Sequence, residues 1–176
     1  VGKIKTSKKT SLVFELKIAH LTEEPEIEKY GKEEVSNDTI IIHGSMSSYN
    51  IHFNGQLKIR TDGQLKTEGT SIIVEDSLNT EFIFCGATNY ELSSNIFTEQ
   101  DKQKKLRDID PHDMVCDLLQ KAASYTYEEL KQRHQQDYKE LFDRVSLEFK
   151  GCEIPEETTD KLVESYKDLK SRYLEI

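Results

Sequence analysis

The sequence has no tryptophan, no long apolar run and no excess of basic residues. Carbohydrate-binding modules usually stack sugars on aromatic platforms, and without tryptophan only tyrosines could serve, which disfavours a stand-alone lectin. No apolar stretch approaches the roughly 20 residues that span a bilayer, and no signal segment opens the chain, so we expect no membrane partner. The 24 basic and 33 acidic residues give a formal charge of −9, which repels phosphate backbones and argues against nucleic acid as a partner.

Cysteine is also scarce. Cys85, Cys116 and Cys152 are odd in number and form no CxxC pair. This pattern is typical of buried or incidental thiols in a reducing compartment. The sequence contains no targeting signal, and the cysteine pattern alone leads us to expect a cytoplasmic location. His112 and Cys116 lie four residues apart and could share a metal ion, but two ligands do not make a zinc site. We therefore predict neither a metal nor a cofactor.

The motifs of several enzyme classes are missing as well. We find no glycine-rich phosphate loop, no GxSxG nucleophile elbow and no HExxH zinc motif. Glycoside hydrolysis needs a carboxylic acid with a raised pKa and a second catalytic group in a cleft, which an abundance of glutamate does not indicate. The sequence predicts no catalytic residue and leaves the substrate-binding residues unknown.

Alternating apolar and polar residues characterise positions 11 to 90. The clearest case is 49–59, where apolar residues at every second position predict a strand with one buried and one solvated face. A similar alternation predicts a strand at 12–18, and the apolar run at 82–85 predicts a central strand covered on both sides. Strands that follow one another without helices indicate an antiparallel β-sandwich or a large part of one.

Glycine and acidic residues predict the connections between these strands. Asp62-Gly63 supplies the pair with positive φ that favours a tight hairpin, and Glu68-Gly69 repeats the pattern. The acidic stretch at 23–38 has few apolar residues and is typical of a long surface loop.

The pattern changes from strands to helices at Asp110. Asp110 is a predicted N-cap with Pro111 at the first helical position, and Thr126 with Glu129 has the spacing of a capping box. Two short amphipathic helices cannot stand alone, so we expect them to pack on the sheet or on another part of the protein. The apolar stripe of the second helix comprises Tyr127, Leu130, His134, Tyr138, Leu141 and Phe142.

His134 lies within that stripe. We expect it to be a packing residue rather than a catalytic base, since no nucleophile or metal partner is within helical reach. Together with Tyr138 it should be mostly buried between the second helix and the sheet. Beyond this helix, the alternation of Val145, Leu147 and Phe149 predicts a strand that returns to the sheet.

Three segments carry a resemblance to a known family. The segment at 84–90, FCGATNY, is similar to an apolar strand that ends in A-A-T-[DN]-Y, and Asp110-Pro111 opens a helix. The most specific segment, YEELKQRHQQDYKELFDRVSL at 127–147, resembles Y-x-x-L-x-x-x-H-x-x-D-Y-x-x-L-F-x-R-V-x-L. Together they resemble the bacterial inverting α-L-fucosidases of glycoside hydrolase family 95. The residues of these motifs with a structural role are Asp110, Thr126, Glu129, His134, Asp137, Tyr138, Phe142 and Arg144.

The resemblance implies an α+β fold, in which part of a larger N-terminal β-sandwich is followed by amphipathic linker helices and then by a catalytic (α/α)6 barrel. It implies a sandwich portion at 1–97, a helical linker at 98–142, a return strand at 143–150 and, at 151–176, the start of the connection to the barrel. We expect this chain to be a piece of that longer polypeptide.

The family's catalytic groups lie in the barrel, so none carries over to a position in this chain. The expected partners are the barrel of the same polypeptide, a fucosylated glycan for the whole enzyme and, because part of the sandwich is missing, another copy of the chain. The alternative is a stand-alone β-sandwich that binds carbohydrate or another protein.

Overall fold

A computed structural model describes residues 1–18, 29–93, 97–146, 158–161 and 163–164. The chain divides into two compact units, Val1–Asp137 and Tyr138–Ile176. The described strands are β1 (Gly2–Phe14), β2 (Lys29–Ser36), β3 (Thr39–Met46), β4 (Ile51–Thr61), β5 (Gln64–Glu68) and β6 (Ser71–Thr88). The helices include α1 (Pro111–Ala123) and α2 (Tyr127–Phe142), and short 3-10 helices lie at Ser47–Tyr49 and Lys102–Lys105. Residues 159–161 and 163–164 are helical as well.

All six strands belong to one antiparallel sheet, in the order β1-β6-β4-β3-β2, with β5 also paired to β6. The 18-residue β6 is the central strand. β1 pairs along one side of β6, whereas β4 and then β5 pair along the other. The position of β6 therefore sets the positions of the strands around it.

The acidic stretch predicted to be a loop contains a strand. β2 pairs with β3 up to Ser36↔Thr39, so the loop prediction was wrong for residues 29–36, and residues 23–28 lie outside the described part. The hairpin turn is at Asn37 and Asp38, where Asn37 has φ 54°. Asparagine tolerates the left-handed region better than most residues, and this favours the turn.

The hairpin predicted at Asp62-Gly63 was wrong. β4 and β5 both run antiparallel to β6, so the chain continues through these two residues without reversing. The reversal lies at the second predicted position, where Gly69 has φ 59° and β5 leads into β6. A side chain other than hydrogen would strain that backbone, which explains the glycine.

A bulge in β6 lies opposite Asp62-Gly63. Between the pairs Thr61↔Thr80 and Gln64↔Glu75, the two residues face the four residues 76–79 of β6. The Asp62 carboxylate satisfies the backbone of this bulge. Its Oδ1 accepts hydrogen bonds from the N–H groups of Leu78 at 3.0 Å and Asn79 at 2.9 Å.

The apolar core lies on one face of this sheet. The Ile18 N–H, just beyond β1, donates to Oε1 of Glu33 on β2 at 3.0 Å, so the two outer strands approach each other. The sheet therefore curls around its own apolar face. The buried core residues are Ile40, Leu57, Ile59, Ile72 and Val74, with Leu12, Phe14, Leu16, Val35 and Phe82 packed against them.

The two faces of the sheet depart from the predicted burial. In β4 the predicted apolar face is confirmed by the burial of Leu57 and Ile59. The predicted solvation of its polar face was wrong, because α1 packs over β4 and β6 there and Asn54 and Gln56 each retain 4% exposure. The prediction that 82–85 is covered on both sides was also wrong, since Phe84 is 51% exposed.

Helix α1 has an apolar face that contacts the sheet. Val115 and Leu119 are buried, and Pro111 at the helix start is buried as well. α2, by contrast, contains no buried residue. The predicted burial of His134 and Tyr138 was therefore wrong.

The unit Tyr138–Ile176 contains the last turn of α2. The rings of Tyr138 and Phe142 stack with centroids 4.9 Å apart. Of the predicted return strand, residues 147–150 lie outside the described part, and Val145 is 80% exposed. Most of the predicted connection at 151–176 also lies outside the described residues.

The fold is thus mostly antiparallel sheet, followed by α-helices, in agreement with the α+β expectation. Within the same residues, none of the helices has the length and apolar character needed to cross a membrane.

Candidate functional site

A polar cleft of about 780 Å³ opens on the helix side of the sheet. Strands β3 and β4 form one wall, and the segment at 108–112, which leads into α1, forms another. The cleft combines three histidines and three carboxylates with a few apolar residues. These lining residues include His43, His52, His112, Glu34, Asp108, Asp110, Phe53, Ile109 and Pro111.

The start of α1 places His112 in this cleft. The Asp110 side chain accepts a hydrogen bond from the His112 backbone N–H at 2.8 Å, and Pro111 occupies the start of the helix. This geometry confirms the predicted N-cap. Because the cap fixes the first turn of α1, it also fixes where the His112 ring meets the sheet.

Among the carboxylates that line the cleft, Glu34 forms ion pairs and has a shifted pKa. It pairs with Lys32 Nζ at 3.0 Å and lies 3.6 Å from His43 Nε2. The hydrogen bond from Lys32 lowers the pKa of Glu34 below its ordinary value. A general acid for glycoside cleavage needs the opposite shift, so Glu34 is unsuited to that role.

A hydrogen-bond network connects the floor of the cleft to α1. Gln56 Nε2 donates to Asn54 Oδ1 at 3.1 Å, and Asn54 Nδ2 lies 3.3 Å from His112 Nδ1. At the far side of the imidazole, His112 Nε2 lies 3.4 Å from Cys116 Sγ. Gln56 Nε2 donates to the same sulfur at 3.3 Å. The network thus joins two amides of β4 to an imidazole and a thiol of α1.

Cys116 also borders a second cavity, of about 420 Å³, between β4 and α1. Lys58 lies at this cavity, where Asp38 accepts two hydrogen bonds from its ammonium group. The thiol of Cys116 is half-buried and therefore has access to this space. The other lining residues are Gln56, Leu119, Gln120, Ala123 and Ser124.

His112 and Cys116, which we judged from the sequence to be too few ligands for a zinc site, can be compared with this geometry. His112 and Cys116 do come together, as their spacing on a helix requires. Among the residues that the structure describes, no group of three or more His, Cys, Asp or Glu side chains is arranged to hold a metal ion.

The capping box predicted at the start of α2 is confirmed. The Thr126 backbone N–H donates to Glu129 Oε2 at 2.8 Å, and the Glu129 N–H donates to Thr126 Oγ1 at 3.3 Å. The first of these bonds lowers the pKa of Glu129.

The remaining motif residues lie on solvent-exposed positions. The predicted burial of His134 and Tyr138 was wrong, since both are exposed, Tyr138 to 51%. Asp137 and Arg144 are exposed too, and Phe142 is 61% exposed. His134 and Asp137 do not line the cleft.

Asn54 and Gln56 are among the residues of the site that the sequence did not predict. Their alternation with apolar residues is the pattern of a solvated face, and that pattern led to the wrong expectation. The apolar face of α1 could have identified them, because such a face must pack against another part of the protein.

Comparison of the chain with protein-family models and with curated proteins found no match.

Proposed function

We propose that this chain is a noncatalytic structural part of an inverting α-L-fucosidase of glycoside hydrolase family 95. The observation that carries the proposal is the start of α2. There, the capping box of Thr126 and Glu129 opens a helix in the segment whose sequence is most similar to the family. Asp110 and Pro111 likewise start α1 where the family's motif opens a helix.

The order of the elements supports the same proposal. An antiparallel sheet comes first and helices follow, as in the sandwich and linker of that family. We further propose that the sheet is one part of a larger sandwich. Val13 on the outer strand β1 is 64% exposed and Phe84 is 51% exposed, so further strands or a second copy of the chain would have apolar surface to cover.

The structural role follows from the exposure of the motif residues on α2. His134, Asp137 and Phe142 match defined positions of the family segment and are exposed. In this proposal they contact the catalytic barrel of the same polypeptide, and the fucosylated glycan binds to the whole enzyme. No cofactor takes part, and the protein works in the cytoplasm.

Comparing the chain with its full-length parent tests this function. Both proteins are purified from a host without fucosidase, and release of fucose from an aryl α-L-fucoside is followed at equal molarity. We expect hydrolysis with inversion by the parent and none by the 176-residue chain.

Two outcomes would contradict the proposal. One is a parent chain that does not hydrolyse the fucoside. The other is activity of the 176-residue chain that survives repurification and disappears in His134→Ala or Asp137→Ala, because it would place a catalytic site on α2. Saturable binding of fucosylated glycan by this chain, with an inactive parent, would favour the stand-alone carbohydrate-binding module.

A further inference from the structure

We draw no further inference here: the strongest candidate, the polar cleft between β3, β4 and the segment that leads into α1, belongs to the site already described, and nothing in the part of the chain that the structure describes shows which ligand or partner would occupy it.

Discussion

Arg60 on β4 donates a hydrogen bond from Nη1 to the backbone carbonyl of Ala123 at 3.1 Å, and so binds the last turn of α1 to the sheet. The same nitrogen donates to the Tyr125 carbonyl at 2.9 Å, while Nη2 donates to Glu81 at 2.9 Å. The last carbonyls of a helix lack partners within the helix and carry partial negative charge, so a guanidinium stabilises them.

Arg60→Met should therefore destabilise the protein by about 2–3 kcal/mol, because it removes charge-assisted bonds in a part-buried setting. Urea unfolding followed by circular dichroism measures the change. Lys66→Met is the control, since Lys66 pairs with Glu75 at an exposed position and should cost less than about 0.5 kcal/mol. If both variants unfold at the same urea concentration, Arg60 does not hold α1 as described.

The sequence was informative about the parts of the fold that local interactions determine. The Asp110 cap and the box of Thr126 and Glu129 depend on residues within three positions of each other, and the structure contains both. The apolar face of β4 was likewise predicted, because alternation in one strand determines which residues can share a face.

Long-range contacts determine the parts that were predicted incorrectly. Asn54 and Gln56 are buried only because α1, some 60 residues later, packs on them. Asp62 was predicted to be a turn residue because the Asp-Gly pair favours a hairpin. Its carboxylate instead satisfies a bulge in β6, which lies at a distance in the sequence. The candidate site depends on the first of these contacts, so its network could not be deduced from the sequence of either element alone.

The capping box at the start of α2 gives a second prediction. Thr126→Ala removes the Oγ1 acceptor of the Glu129 N–H and should cost about 1 kcal/mol of stability. Thr70→Ala, in the exposed turn between β5 and β6, serves as a control that should change stability by less than about 0.5 kcal/mol. An unchanged melting midpoint for Thr126→Ala would show that the cap does not contribute.

Gly44 gives a third prediction. A Cβ at Gly44 would lie 2.0 Å from the Tyr30 carbonyl oxygen and 2.8 Å from Gly31 Cα, so a methyl group must push β2 away from β3. Gly44→Ala should cost about 2 kcal/mol or more, because backbone cannot move aside cheaply.

Gly69→Ala is the comparison for Gly44→Ala, since nothing lies within 4 Å of a Cβ there and only its positive φ is unfavourable. Its cost should be about 1 kcal/mol. Both are measured by urea unfolding. A Gly44→Ala protein more stable than Gly69→Ala would mean that β2 does not pair with β3 at this register.

The bulge in β6 gives the last prediction, which concerns pH. Asp62 accepts hydrogen bonds from the Asn79 backbone and side chain, from the Ser77 hydroxyl and from the Leu78 N–H. These bonds, with the Asn79 backbone foremost, hold the pKa of Asp62 well below its ordinary value. The charged form is thus favoured in the folded state, and Asp62 stabilises the protein above the pKa of the unfolded chain, about 4. That contribution is lost as the pH falls towards the folded pKa.

Asp62→Asn removes the charge and places an amide donor among existing donors. The variant should be less stable than the parent at neutral pH. The difference in urea midpoint between parent and variant should be the same at about pH 7 and pH 5 but smaller at about pH 3. Asp76→Asn is the matched control, because Asp76 lies in the same bulge, is exposed, and has φ 56°, which asparagine tolerates. It should show no such narrowing. A gap for Asp62→Asn that stays constant down to about pH 3, or widens there, would mean that the Asp62 carboxylate is not the group that stabilises the bulge.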